Sequence, residues 1–240
     1  MKSNSSVEIT FFIPCYNEEA NVTGALDTVK KITQGKNFSY EIIVVDDGSA
    51  DKTSVVVKSY CAAHPQMLIT FHRNSTNRGL GYNYIRAATD SQGRYYLLIN
   101  GDNDIPPEDL TAILEHRGAA DLIIPYVHND KRPFFRQVVS RTFTAVVNFI
   151  SGHQLRYYNG PVLHLRENVI RFNPKAKGFA YQAELICRAL TSGCTYIELP
   201  FRSLAEDKGL TSAFRFSNLL SVFGSLSRIA INRITACFSK

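Results

Sequence analysis

No two of the five cysteines stand in a CxxC pair or at any metal-ligand spacing. This excludes a zinc finger or a disulfide framework, and Cys15, Cys61, Cys187, Cys194 and Cys237 read as reduced cytosolic thiols. Nowhere is there an uninterrupted apolar run of about 18 residues, and the opening segment MKSNSSVEIT has no hydrophobic signal core. Neither a membrane span nor a secretory leader is therefore expected, and sequons such as Asn21-Val22-Thr23 are incidental. There is no Arg-rich tract and no RNA-binding aromatic signature, so no nucleic-acid partner is expected. Internal repeats, low-complexity tracts and linkers are also lacking, which favours one mixed domain. What the chain does have is 240 residues with 45% hydrophobic content, enough for a sizeable core. A formal charge of +6 and a pI near 9.1 suit an anionic partner such as a nucleotide, a lipid phosphate or a membrane surface.

Strand and helix patterns alternate. Glu8 to Pro14, Glu41 to Val45, Met67 to His72, Tyr95 to Ile99 and Asp121 to Val127 read as strands. Glu18 to Thr33, Asp51 to Ala63, Leu80 to Thr89 and Glu108 to Arg117 carry helical spacing between them. This order predicts a largely parallel sheet covered on both faces, with right-handed connections. From Pro133 on, the expected elements are a helix from Phe134 to Ile150, a strand around Tyr157 to Leu165, a helix over residues 178 to 191 and a strand from Thr195 to Phe201.

Three strand ends carry chemistry. Tyr95 to Ile99 runs into Asp102-Asn103-Asp104, and Pro106-Pro107 stops the strand. Two hard carboxylates at the C-terminal end of a strand suit Mg²⁺ or Mn²⁺ already carrying phosphate oxygens. Asp and Asn are also ordinary turn residues. In EIIVVDDGSADKT, residues 41 to 53, a strand ends in Asp46-Asp47-Gly48-Ser49. Gly48 permits a tight turn, and an acid there can accept from a base N–H or a ribose hydroxyl, or can cap the turn and helix. In FFIPCYNEEANV, residues 11 to 22, the first strand runs into Pro14, Tyr16, Asn17 and Glu18, which brings an aromatic face to the same edge. Glu18 and Glu19 also suit a helix N-terminus.

With NRGLGYNYIRAATDSQGRYYLLINGDND and the helix GFAYQAELICRAL carrying Glu184, these segments resemble, in this order, the family-2 glycosyltransferases of GT-A fold from about residue 8 to about residue 200. RPFFRQVVSRTF, YYNGPVLHLRENVI and YIELPF are most similar to the enzymes that transfer sugar to dolichyl or polyprenyl phosphate. The resemblance implies a single three-layer α/β/α domain with a mostly parallel mixed sheet. Residues 1 to 104 would be its nucleotide-binding half and 105 to 212 its acceptor half, followed by a helical segment over 213 to 240. It implies an inverting transfer from a UDP- or GDP-sugar held by Pro14, Tyr16, Glu18, Asp46, Asp47, Asp102 and Asn103. Asp102 and Asp104 hold Mg²⁺ or Mn²⁺ on the diphosphate, Asp104, Arg136 and Arg141 serve the reaction, and Arg136, Arg141 and Glu184 meet the acceptor. The acceptor would be a polyprenyl phosphate or, alternatively, a saccharide hydroxyl.

The chain departs from that pattern in several places. Ile105 leads straight to Pro106 where relatives insert Gln-His, and Val162 takes the place of an arginine. Glu206 and Ser212 stand where an arginine and a lysine are usual, with Lys208 or Arg202 as substitute cations. A catalytically inactive nucleotide-sugar binder on the same fold is the competing reading. A phosphohydrolase of haloacid-dehalogenase type would also use Asp-x-Asp, but Pro106 occupies its Thr or Val position and the DDGS strand is left without a role. Phe214 to Phe238 mixes apolar residues with Arg215, Arg228, Arg233 and, just beyond, Lys240. That suits either an amphipathic helix packed on the domain or one lying in an anionic membrane interface. The expected location is the cytoplasm, with any membrane attachment peripheral.

Overall fold

The structure, a computed structural model, describes residues 7–174, 178, 180–203 and 216–238. Its first half runs β1 (Ile9–Cys15), α1 (Val22–Thr33), β2 (Tyr40–Asp46), α2 (Thr53–Ala63), β3 (Ile69–Arg73), α3 (Leu80–Asp90), β4 (Tyr95–Leu98) and α4 (Pro107–Glu115). Then follow β5 (Leu122–Val127), α5 (Phe134–Ser151), β6 (Leu163–Leu165), α6 (Arg166–Phe172), α7 (Tyr181–Thr191), β7 (Tyr196–Phe201) and α8 (Phe216–Phe238). The strands form one seven-stranded sheet in the order β3-β2-β1-β4-β6-β5-β7. All its pairings are parallel except those of β6, which runs antiparallel to both β4 and β5.

Alternation along the buried strands builds two cores. Ile9, Phe11 and Ile13 of β1, Ile42 and Val44 of β2 and Leu97 of β4 pack under Leu26 and Val29 of α1, Val57 of α2 and Leu110 and Ile113 of α4. The intervening residues Phe12, Ile43, Val45, Tyr96 and Leu98 face the other way, onto Tyr84 and Ala88 of α3, Val169 of α6 and Leu185 and Ile186 of α7. A period of two on strands buried on both faces is what makes this a three-layer α/β/α domain.

Several expected boundaries shift. Residues 18 to 21 belong to a loop rather than to α1, and the Asn21 and Val22 N–H groups both donate to the Glu18 carbonyl, at 3.0 and 2.9 Å. The expected strand around Tyr157 to Leu165 shrinks to the three residues of β6. Before it, the chain passes close to β5 at Gly160, where a Cβ would lie 2.7 Å from the Pro125 carbonyl oxygen. The short helix α6 was not expected, and the helix expected from residue 178 begins at Tyr181. The C-terminal segment is a helix packed on α5 and α7. Among the described residues no helix is long and apolar enough to cross a membrane.

Candidate active site

Because β1, β2, β4 and β5 are parallel to one another, the loops after Cys15, Asp46, Leu98 and Val127 all leave the same sheet edge. Open α/β sheets bind ligands at that edge. The first two loops are stitched together reciprocally. Asn17 N–H donates to Ser49 Oγ at 2.9 Å, Ala50 N–H to Asn17 Oδ1 at 2.9 Å, Glu18 N–H to Thr53 Oγ1 at 2.8 Å and Lys52 N–H to Glu19 Oε2 at 2.8 Å. Asn17 adopts φ +58° to do so, a conformation Asn tolerates better than most residues. The loop polar groups are thereby satisfied by one another, which leaves the Tyr16 ring half exposed as a flat face at the edge.

The two neighbouring acids of the second loop divide their work. Asp46 is fully buried: Oδ1 accepts from Ser49 N–H at 2.9 Å, Oδ2 accepts from Ser54 Oγ, and Arg73 Nε lies 3.5 Å away. It holds the turn, and the donor contact expected of it has no open face. Asp47 Oδ1 accepts from Asn74 Nδ2 at 2.7 Å and Arg78 N–H at 2.8 Å, while Oδ2 accepts from Gly79 N–H at 2.9 Å. A carboxylate oxygen can accept twice, so Oδ2 has room for one more donor. Asn74 also donates to Asn83 Oδ1 at 2.8 Å and joins β3, α3 and Asp47. Sequence reasoning passed over Asn74, although a lone Asn just after a strand was a usable signal.

The third loop carries Asp102 and Asp104, both partly accessible. Gly101 presses against β1 so closely that a Cβ would meet the Pro14 carbonyl oxygen at 2.6 Å, which brings the acidic loop onto the loop that bears Tyr16 and Glu18. Asn100, another residue the sequence did not flag, donates through Nδ2 to Asp104 Oδ1 at 2.8 Å and orients that carboxylate. Asn103 departs from its expected donor role. At φ +54° it turns its side chain back onto α1, where Oδ1 accepts from Thr28 Oγ1 at 2.8 Å. Among the described residues no group of three or more His, Cys, Asp or Glu could hold a metal. Two carboxylates alone do not make an all-protein cage. They do fit Mg²⁺ or Mn²⁺, which keep most of an octahedral shell for phosphate oxygens and water.

In the half expected to meet an acceptor, α5 starts from the loop after β5. Arg132 forks onto Asp130, with Nε to Oδ1 and Nη2 to Oδ2 both at 2.7 Å, and its guanidinium sits over the Tyr157 ring at 5.7 Å. Hydrogen bonding to Arg132 holds the Asp130 carboxyl below the usual carboxylate range. Gln137 Nε2 donates to the Asp130 and Arg132 carbonyls at 3.0 and 2.8 Å, which pins the first turn of α5 to this clamp. Arg136 and Arg141 follow on α5, and among the described residues neither is in an ion pair. Their charges stay available to an anion.

Glu184 is not where the acceptor role would put it. Its carboxylate is wholly buried, with Oε1 2.9 Å from Arg188 Nη2 and Oε2 2.9 Å from Arg228 Nε of α8. A carboxylate buried between two guanidinium groups holds helices together, and the described structure gives it no open side toward a ligand. Arg202, expected as a substitute cation, is bound to Asp109, with its N–H at 2.6 Å from Oδ2 and Nη2 at 3.0 Å from Oδ1. Glu206, Lys208 and Ser212 lie outside the described residues. Val162 is buried in the core.

Known proteins resemble this chain in sequence and in fold. A dolichol-phosphate mannosyltransferase of Pyrococcus furiosus is 28% identical over 207 residues, covering 81% of this chain and 56% of that protein. A polyprenol monophosphomannose synthase of Mycolicibacterium smegmatis is 29% identical over 215 residues, covering 83% of this chain and 78% of that protein. A dolichyl-phosphate beta-glucosyltransferase of Dictyostelium discoideum is 32% identical over 113 residues, 45% of this chain and 35% of its own length. The chain thus spans about a third to just over half of two of these curated relatives. Among solved structures, glucosyl-3-phosphoglycerate synthase of Mycobacterium tuberculosis in complex with UDP superposes with a TM-score of 0.68 at 19% identity, over 93% of this chain and 80% of that one. A mannosyltransferase of Pyrobaculum calidifontis in complex with GDP-Man and Mn²⁺ gives 0.62 at 16% identity, over 96% and 73%. These establish the GT-A fold. The model of the family "Glycosyl transferase family 2" matches residues 10–176, more than half of the sequence, and the chain belongs to that family of glycosyltransferases.

Proposed function

We propose that this chain transfers a sugar from a UDP- or GDP-sugar to a polyprenyl phosphate with inversion at the anomeric carbon, using Mg²⁺ or Mn²⁺ held on the donor diphosphate by Asp102 and Asp104. One observation carries the reading: the acidic loop closes on the Tyr16 loop at Gly101, at the sheet edge from which α5 brings in two arginines outside any described ion pair. The Tyr16 face offers a stacking platform for the base, and Asp47 Oδ2 has capacity for one base N–H. Asn100 fixes the rotamer of Asp104, so the carboxylate is preorganised. When bound, the metal supplies charge neutralisation of the departing diphosphate. Arg136 and Arg141 would grip the acceptor phosphate, since guanidinium forks match phosphate oxygens in pairs. A phosphate oxygen of the acceptor then forms the new bond to the anomeric carbon as the bond to the diphosphate breaks on the opposite face. That oxygen is already ionised, so no general base is needed. The dolichol-phosphate and polyprenol relatives support this acceptor class.

The test is nucleotide release from a panel of UDP-, GDP- and TDP-sugars with Mg²⁺ or Mn²⁺, with and without a polyprenyl phosphate. Release that rises only with the lipid phosphate is the expected result. Donor-specific release indifferent to the lipid would move the acceptor to a hydroxyl, and no release with any donor would favour the inactive binder.

A further inference from the structure

A helix in a globular protein normally turns its apolar stripe inward, and α5 does the reverse. Phe134 (79% exposed), Phe135 (55%), Val138, Val139, Val146 and Phe149 (85%) all face out. At 100° per residue these positions fall on one arc of about 140°, filled in by Thr142 and Ala145. Thr144, Val147 and Ser151 mark the opposite, buried side. Helix α8 repeats the arrangement: Ser225 and Ile229 are buried, while Phe223 (67%), Ile231 (59%) and Ile234 (56%) share an exposed stripe.

The two helices are fastened to each other and to the core. Arg233 Nη1 donates to the Phe149 and Ile150 carbonyls at the end of α5, at 3.0 and 3.1 Å, and Arg228 reaches Glu184 of α7. Neither α5 nor α8 contains an acidic residue along its length, and both carry arginines: Arg136 and Arg141 on α5, Arg228 and Arg233 on α8. An exposed apolar stripe beside Arg136, Arg141 and Arg233, none of them in a described ion pair, complements an anionic bilayer surface, where apolar side chains enter the headgroup boundary and arginines meet lipid phosphates; Arg228 is turned inward onto Glu184.

We infer that α5 and α8 together form one docking face for an anionic lipid bilayer. It is a two-helix surface, broader than the C-terminal helix alone. The inference deepens the polyprenyl-phosphate reading, on which its purpose rests: α5 begins at the donor edge, so a docked chain would meet a lipid phosphate arriving from the bilayer beside Arg136. Docking itself stands on the two helices.

The test is co-sedimentation of the full chain with vesicles of phosphatidylcholine alone and of phosphatidylcholine mixed with phosphatidylglycerol. Binding is expected to the mixed vesicles and to weaken as salt rises. Phe149→Asp and Ile231→Asp, both on outward faces, should each lower the vesicle partition coefficient about tenfold or more without changing the melting temperature or nucleotide release with a soluble short-chain acceptor phosphate. No binding to mixed vesicles, or unchanged binding by both variants, would overturn the inference. So would a dimer, seen by light scattering, that the same substitutions dissociate, because the face would then be covered by a second copy. Vesicle binding without any turnover on the soluble phosphate would sink the acceptor reading and leave the docking face standing.

Discussion

Replacing Arg228 by Met keeps the apolar stem of the side chain and removes one of the two cations that, among the described residues, hold the buried Glu184 carboxylate. Breaking a buried ion pair from one side costs about 3–5 kcal/mol because the remaining charge is stranded. Here Arg188 still holds Oε1 at 2.9 Å, and the Arg228 side chain is 30% exposed, so water can reach part of the gap. We therefore expect about 2–3 kcal/mol, which for a chain of this length lowers the melting temperature by roughly 4–12 °C. The same change also removes a bond within α8, from Arg228 Nη2 to Ser225 Oγ at 3.0 Å. Thermal melting of four proteins reads the argument: wild type, Arg228→Met, Glu184→Gln and the double variant. Removing both charges leaves no stranded carboxylate, so the double variant should melt above Arg228→Met, with a coupling of about 1 kcal/mol or more. Strictly additive effects, or an Arg228→Met protein that melts with the wild type, would refute the account of Glu184 as the anchor of α8.

The parallel half of the fold was legible because its strands are fully buried. ITFFIPC, YEIIVVD and YYLL are runs of β-branched and aromatic residues that end in Asp, Asn, Gly or Pro, and each run states both its type and its end. The cluster of polar residues at one sheet edge was legible for the same reason, since they stand just past those ends. What could not be read depends on partners far away in sequence. Glu184 looked like a ligand contact because, although Arg188 stands one turn on, the second cation that closes over its carboxylate, Arg228, is 44 residues downstream. Asn103 looked like part of an Asp-Asn-Asp site because Thr28, which turns it inward, lies 75 residues upstream. The strand expected around Tyr157 to Leu165 survives only as the three residues of β6, too few to show a period and so to fix its ends, and no local pattern says that they pair antiparallel within a parallel sheet. Helix α5 is a subtler case. Its apolar stripe was visible, but periodicity gives a face without saying which side the protein covers, and here the covered side is the less apolar one.

Three further measurements bear on the site and the core. Asp104→Ala should abolish sugar transfer while circular dichroism stays unchanged, and retained turnover with metal present would remove Asp104 from the site. Gly101→Ala would set a methyl group 2.6 Å from the Pro14 carbonyl oxygen, so the acidic loop must move away from β1; the expected result is a loss of transfer of about 100-fold, as misplacement of about 1 Å produces, and wild-type rates would show the loop to be free of β1. The third concerns His164, which is wholly buried on β6 with neither ring nitrogen hydrogen-bonded among the described residues. Burial depresses its pKa from 6.5 to about 3, so the folded chain holds it neutral where the unfolded chain takes up a proton. Its contribution is therefore fully present above about pH 6.5 and is lost as pH falls from there toward about 3. Between pH 6.5 and 5 that amounts to about 2 kcal/mol. Urea unfolding across this range should show the slope in the wild type and a flatter one in His164→Leu, which cannot be protonated. Equal slopes in the two proteins would mean that His164 is reached by water or by a partner when protonated, and that the core between β6 and α3 is not as dry as its packing against Tyr84 and Tyr96 implies.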